Sequence, residues 1–148
     1  MAGTTTFKVS GLKELGARME KLKADVALKA GRSAVAAAAQ IVKKAAIANA
    51  PEHDEPHVVK DVLVQPGNLK RNIISKRLKD TKLTAEYIVT VRNKKKDGYA
   101  ARYGRLVEFG TINMHPQPFL RPALSENIDK AIGAMAKKLD RAIKKAGA

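Results

Sequence analysis

Four residues in the run YAARYGRLVEFGTINMHPQPFLRPAL, from Tyr99 to Leu124, dictate backbone conformation before any packing is considered. Gly110 follows a helical pattern and can take the left-handed conformation that ends a helix. Pro116 and Pro118 fix their own φ angles, donate no hydrogen bond and turn the residues before them away from helix. Pro122 suits the first turn of a new helix. The run therefore reads as helix, hard stop, extended segment and second helix. In the first helix Tyr99, Tyr103, Leu106 and Val107 share one face, with Arg102 and Arg105 on the other. Ile112 to Gln117 is expected to be extended, and Phe119 and Leu120 to act as apolar anchors.

From Pro122 onward Leu124, Ile128, Ile132, Met135, Leu139 and Ile143 recur at helical spacing, which predicts a basic amphipathic helix at the C-terminus. At the other end Leu12, Leu15, Met19, Leu22 and Val26 form a similar stripe, continued by Ala30, Ala34, Ala37, Ile41, Ala45 and Ala48. One long helix from about Leu12 to Asn49 follows, with Gly31 as the place for a bend and Pro51 closing it. Its small alanines favour close packing on a sheet or a neighbouring helix over an extended coiled coil. Before it, Thr4 to Val9 is β-prone and Ser10-Gly11 breaks the strand.

Two strands are expected at Ile73 to Lys79 and Thr84 to Asn93, joined at Asp80-Thr81-Lys82. Ala85, Tyr87, Val89 and Val91 alternate with Glu86, Ile88, Thr90 and Arg92, as in a strand with one buried face. The fold class that results is α+β, with the long N-terminal helix and the C-terminal amphipathic helix packed on a small antiparallel β-sheet. A chain of 148 residues is expected to form one domain over 1–148. A long loop interrupts it at about 51–66, PEHDEPHVVKDVLVQP, within which Val58 to Val64 docks as a short element.

The chain has 29 basic and 14 acidic residues, a net charge of +15, and the basic excess is present in every third of it. Such a spread excess fits a protein facing an anionic surface, nucleic acid or acidic protein, through long-range attraction; solubility is the plainer use of it. Lys70 and Arg71 in the turn after Gly67, the knob Lys94, Lys95 and Lys96, and Arg102 with Arg105 are the candidate electrostatic contacts. Aromatic residues make up only 4%, so the core must be built largely from alanine and aliphatic side chains, and stability is expected to lean on partner subunits. No cysteine is present, which excludes disulfides and thiolate chemistry. The N-terminus lacks a signal-peptide pattern, and no apolar run approaches the roughly 20 residues that span a bilayer, so a soluble protein assembled in the cytoplasm is expected.

Catalytic patterns are missing from the sequence: there is no Gly-rich phosphate loop, HExxH pair or nucleophile elbow. Glu108 and His115 lie near one another in sequence, but Gly110 and the prolines between them set no shared geometry and no nucleophile accompanies them. Arg105 stands one turn from Glu108 as a local partner. His53, Asp54, Glu55 and His57 are metal-capable residue types, in a proline-flanked segment that reads as a solvated loop. The chain is read as neither an enzyme nor a holder of a cofactor or metal. A recognisable nucleic-acid module or aromatic platform is also missing.

Tyr99-Ala100, then Val107-Glu108-Phe109-Gly110-Thr111, then Pro116-Gln117-Pro118-Phe119-Leu120-Arg121-Pro122-Ala123 resemble the signature of small tail-component proteins of long-tailed bacteriophages, the neck or tail-completion proteins of the head–tail junction. The layout is similar over nearly the whole chain, from Gly11-Leu12 opening the long helix to the basic amphipathic helix at the end. Glu52 to Pro66 is longer than the corresponding stretch of that family. The resemblance implies a structural virion protein assembling as a ring, taken as a hexamer, between the head connector and the tail tube. It implies as partners the chain itself and the adjacent connector, tube or terminator proteins, with DNA backbone contact in the channel and no membrane. A tail terminator ring is the alternative in the same setting, and a basic non-specific nucleic-acid-binding protein is the alternative from a different class.

Overall fold

The computed structural model describes residues 14, 16–17, 24–52, 55–59, 61–78, 84–97 and 100–146. The expected strand at Thr4 to Val9, most of the first apolar stripe, Tyr99 and the Asp80-Thr81-Lys82 connection lie outside them.

Helix α1 (Ala24–Asn49) is a single helix that continues through Gly31. Its buried residues are nearly all small: Ala30, Ala34, Ala39, Val42 and Ala46, followed by Ala50. Small side chains let other elements approach the α1 backbone closely, and the long C-terminal helix and the main sheet both do so. Ala50 still donates to the Ala46 carbonyl before Pro51 ends the run.

Within the expected loop 51–66 the chain forms a hairpin, β1 (His57–Val59) and β2 (Val62–Val64), with Val58 paired to Leu63 and Val59 to Val62. Four valines and a leucine make up most of the two strands, and at the turn Asp61 takes a left-handed φ of 64°, a conformation aspartate tolerates better than most residues. Gly67, with φ 72°, opens the short helix α2 (Asn68–Asn72), and Lys70 pairs with Glu52 at 2.9 Å.

The main sheet is the antiparallel pair β3 (Ile73–Arg77) and β4 (Tyr87–Val91), in which Ile73 faces Val91, Ser75 faces Val89 and Arg77 faces Tyr87. These residues share the face turned to α1, where Gln40 donates to the Ser75 hydroxyl at 2.8 Å. Ile88, on the other face, is exposed. The alternation read from Tyr87, Val89 and Val91 is therefore the alternation the strand has. At the base of the sheet Asn72 is buried and fully used: its amide donates to the Asn68 carbonyl and side-chain oxygens, and its own oxygen accepts from Nε and Nη2 of Arg92.

After a 3-10 turn at Lys95–Asp97 come α3 (Ala100–Phe109), α4 (Leu120–Ser125) and α5 (Ile128–Lys145). The C-terminal stripe predicts one helix from Pro122, but the chain breaks at Asn127. Its side chain donates to the Ala123 carbonyl while its backbone N–H reaches Leu124, so α4 ends there and Leu124 turns out to solvent. Helix α5 then runs antiparallel to α1. Its early residue Ala131 joins Val42 and Ala46, whereas Leu139 joins Ala30 and Ala34 in a second cluster. The main core gathers Val42, Leu69, Ile73, Val91, Val107 and Phe119, and Phe119 is its largest fully buried side chain.

Candidate functional site

The segment joining α3 to α4 is held by one carboxylate. Glu108 sits in the last turn of α3 and is 3% exposed. Its Oε2 accepts from the backbone N–H of Phe119 at 2.7 Å and of Leu120 at 2.9 Å. Its Oε1 accepts from the Arg121 backbone at 3.1 Å and from the Arg121 Nε at 3.3 Å. Helix α4 starts without a side-chain cap of its own, since Phe119 occupies the cap position. Its first three N–H groups therefore end on Glu108, and Pro122 has no N–H to satisfy. An anion at a helix N-terminus is also favoured by the helix dipole. Burial by itself raises the Glu108 pKa, but the Leu120, Phe119 and Arg121 backbone donors and the Arg121 side chain outweigh it, and its carboxyl titrates below the ordinary range. An ionised group held by four donors is not available to carry a proton to a substrate, and the local pairing with Arg105 expected from spacing is replaced by these longer-range partners.

The intervening turn is equally determined. Gly110 closes α3 by donating to the Leu106 carbonyl at 2.7 Å, with φ 76°. Thr111 and Met114 then pair across a tight turn over Ile112 and Asn113, which corrects the expectation of an extended chain from Ile112. Between the two prolines, Gln117 uses its N–H to satisfy the Val107 carbonyl at 2.8 Å. A Cβ at Gly110 would stand 2.8 Å from the Met114 carbonyl oxygen and 2.9 Å from the Pro116 nitrogen. Gly110→Ala is therefore expected to cost about 2–4 kcal/mol through left-handed strain plus backbone clash. Urea denaturation checks this, and an unchanged midpoint would contradict the geometry.

Around this clamp the chain presents apolar surface. Phe109 is 63% exposed, with the Arg121 guanidinium 5.1 Å from its ring centre, and Ile112 at the turn is completely exposed. Leu106 is also exposed, which corrects its expected place on the buried face of α3; that face is Ala100, Gly104, Val107 and Glu108, with Tyr103 half-buried. Gly104 allows the close approach, since a Cβ there would lie 3.0 Å from Leu69 and 3.1 Å from Val91. Next to Glu108 is a cleft of about 270 Å³ with Val91, Ala101, Gly104 and Leu120 in its wall and Arg105, Phe109 and Arg121 beside them.

Of the predicted electrostatic residues, Lys70 is half-buried and engaged with Glu52, whereas Arg71, Lys94, Lys95, Lys96, Arg102 and Arg105 are exposed. Helices α2 and α3 pack together, which brings the Lys70–Arg71 and Arg102–Arg105 pairs onto neighbouring elements. Thr111, Pro116 and Pro118 are exposed, Leu120 and Pro122 half-buried, and Phe119 buried. The metal-capable run is only partly within the described residues, among which no group of three or more His, Cys, Asp or Glu could hold a metal. No described helix is long and apolar enough to cross a membrane.

Residues 13–110, about two thirds of the chain, match the model of the HK97 gp10-like family, described as "Bacteriophage HK97-gp10, putative tail-component". The chain belongs to this family of phage tail components. No curated protein and no solved structure matches it. Membership makes it a structural, tail-related virion protein and gives it other phage structural proteins as partners. The match takes in α1, both hairpins and α3 as far as Gly110, and so includes Glu108 but not the proline segment and α4 that Glu108 holds. Ile112, Gly104 and the Asn72–Arg92 network were not singled out by the sequence reading. Gly104, a glycine in mid-helix on the face of Ala100 and Val107, is the one of the three that carried a readable signal.

Proposed function

We propose that the chain is a neck or tail-completion protein, one subunit of a ring between the head connector and the tail tube. Membership in the tail-component family carries this reading. The surface of the subunit supports the ring: Phe109 and Ile112 on the α3–α4 connection and Val58 and Leu63 on the first hairpin are large apolar side chains left in water. A core in which α1 contributes almost only alanine gains stability from neighbouring subunits. Six copies are the expected number. Arg71, the Lys94–Lys96 knob and Arg102 then face acidic neighbours or the DNA backbone in the channel.

Deleting the gene tests the role. A completion protein leaves tails of normal length that do not join heads. Overlong tubes would assign the terminator role instead, and normal particles together with salt-sensitive binding to random duplex would favour a nucleic-acid-binding protein.

A further inference from the structure

We infer that the cleft beside Glu108 is the receptor for the β1–β2 hairpin of a second copy of this chain, an inference that rests on the ring reading and specifies its contact. Three observations meet here. The cleft, about 270 Å³, has an apolar wall of Val91, Ala101, Gly104 and Leu120 and two exposed arginines, Arg105 and Arg121, beside it. In a chain of net charge +15, residues 51–66 are the most acidic stretch, with Glu52, Asp54, Glu55 and Asp61 against Lys60 alone. The same stretch displays the cross-strand pair Val58 and Leu63, 66% and 58% exposed and on one face of the hairpin, while Val64 is buried on the other.

Within one subunit the hairpin packs chiefly on the 3-10 turn at Lys95–Asp97, and among the described residues the Val58–Leu63 face is left exposed. Placing that face in the cleft of a neighbour puts two aliphatic side chains on an apolar wall and brings Glu55 and Asp61, both exposed, toward Arg105 and Arg121. The two surfaces are different patches of one chain, so the contact is head-to-tail. A head-to-tail contact propagates and closes into a ring when its rotation allows.

Two full-length variants test the contact, Arg105→Glu in the cleft and Val58→Ser with Leu63→Ser in the hairpin. All three positions are exposed, so thermal melts are expected to match the wild type. In sedimentation velocity the wild type is expected to self-associate, less at high salt, and each variant to do so about tenfold or more weakly. Mixing the two variants restores one intact hairpin and one intact cleft, and the mixture is expected to stop at a one-to-one dimer. Wild-type association by both variants overturns the contact and leaves the ring reading standing. A wild-type monomer up to about 1 mM also overturns it. Dimers from the mixture, with the chain missing from virions, would keep the contact and remove the neck reading.

Discussion

Glu108→Ala is expected to lower the unfolding free energy by about 3–5 kcal/mol, because it strands three N–H groups at the start of α4, with Phe119 buried among them. Glu108→Gln keeps the size but places an amide NH₂ among donors, and is expected to lose about 2–3 kcal/mol. The pH dependence has a definite sign. The folded-state pKa of Glu108 is depressed, so its contribution is complete above the unfolded value of about 4.3 and is lost as pH falls through the lower folded value. Urea denaturation of wild type and Glu108→Gln from pH 7 downward should show a constant gap that narrows only below about pH 4.3. A gap that widens on acidification would mean that the buried group is not a carboxylate held ionised by its donors.

Phe119→Ala is expected to cost a similar amount, about 3–5 kcal/mol, or on the order of 10 °C in melting temperature for a chain of this size. Phe119 is completely buried between α1, α3 and α4 in a cluster whose other members include Ala46, Ala50, Ala100, Ala123 and Ala131. Such small neighbours cannot extend to fill the space that a removed ring leaves. Phe119→Leu, which retains most of the volume, is expected to lose less than half as much. If alanine and leucine at this position melt together within 2 °C or so of the wild type, the site has collapsed around the change and Phe119 does not organise the core.

The parts of this fold that were readable in the sequence are those set by local rules. Tyr87, Val89 and Val91 alternate because a strand has a period of two, and Gly110 ends α3 because it accepts a left-handed φ. Phe119 and Pro122 were also placed by type and neighbourhood. What local rules did not reach is the partner of Glu108, eleven to thirteen residues away in sequence. One signal did exist: α4 begins with Phe119-Leu120-Arg121-Pro122 and no Ser, Thr, Asp or Asn in the cap position, so an acceptor had to come from elsewhere. The buried Asn72 joins positions 20 residues apart and left no such trace. Leu106 and Leu124 misled for a different reason. Apolar periodicity predicts burial in a single chain, whereas here it also marks surface that the single chain leaves exposed. The break at Asn127 was hidden because its side chain replaces a backbone donor without interrupting the apolar stripe.

Glu108, Gly110 and Phe119 thus fix the path of the α3–α4 connection, on which Phe109 and Ile112 stand exposed. Family membership makes the chain a tail component, and its place in the neck is the proposal to be tested. An image of the intact phage particle at subunit resolution tests it most directly. The expected result is a ring of copies of this chain between head connector and tail tube, with the Val58–Leu63 hairpin of each copy against Arg105 of the next. Finding the chain elsewhere in the tail, or not in the particle at all, would contradict it.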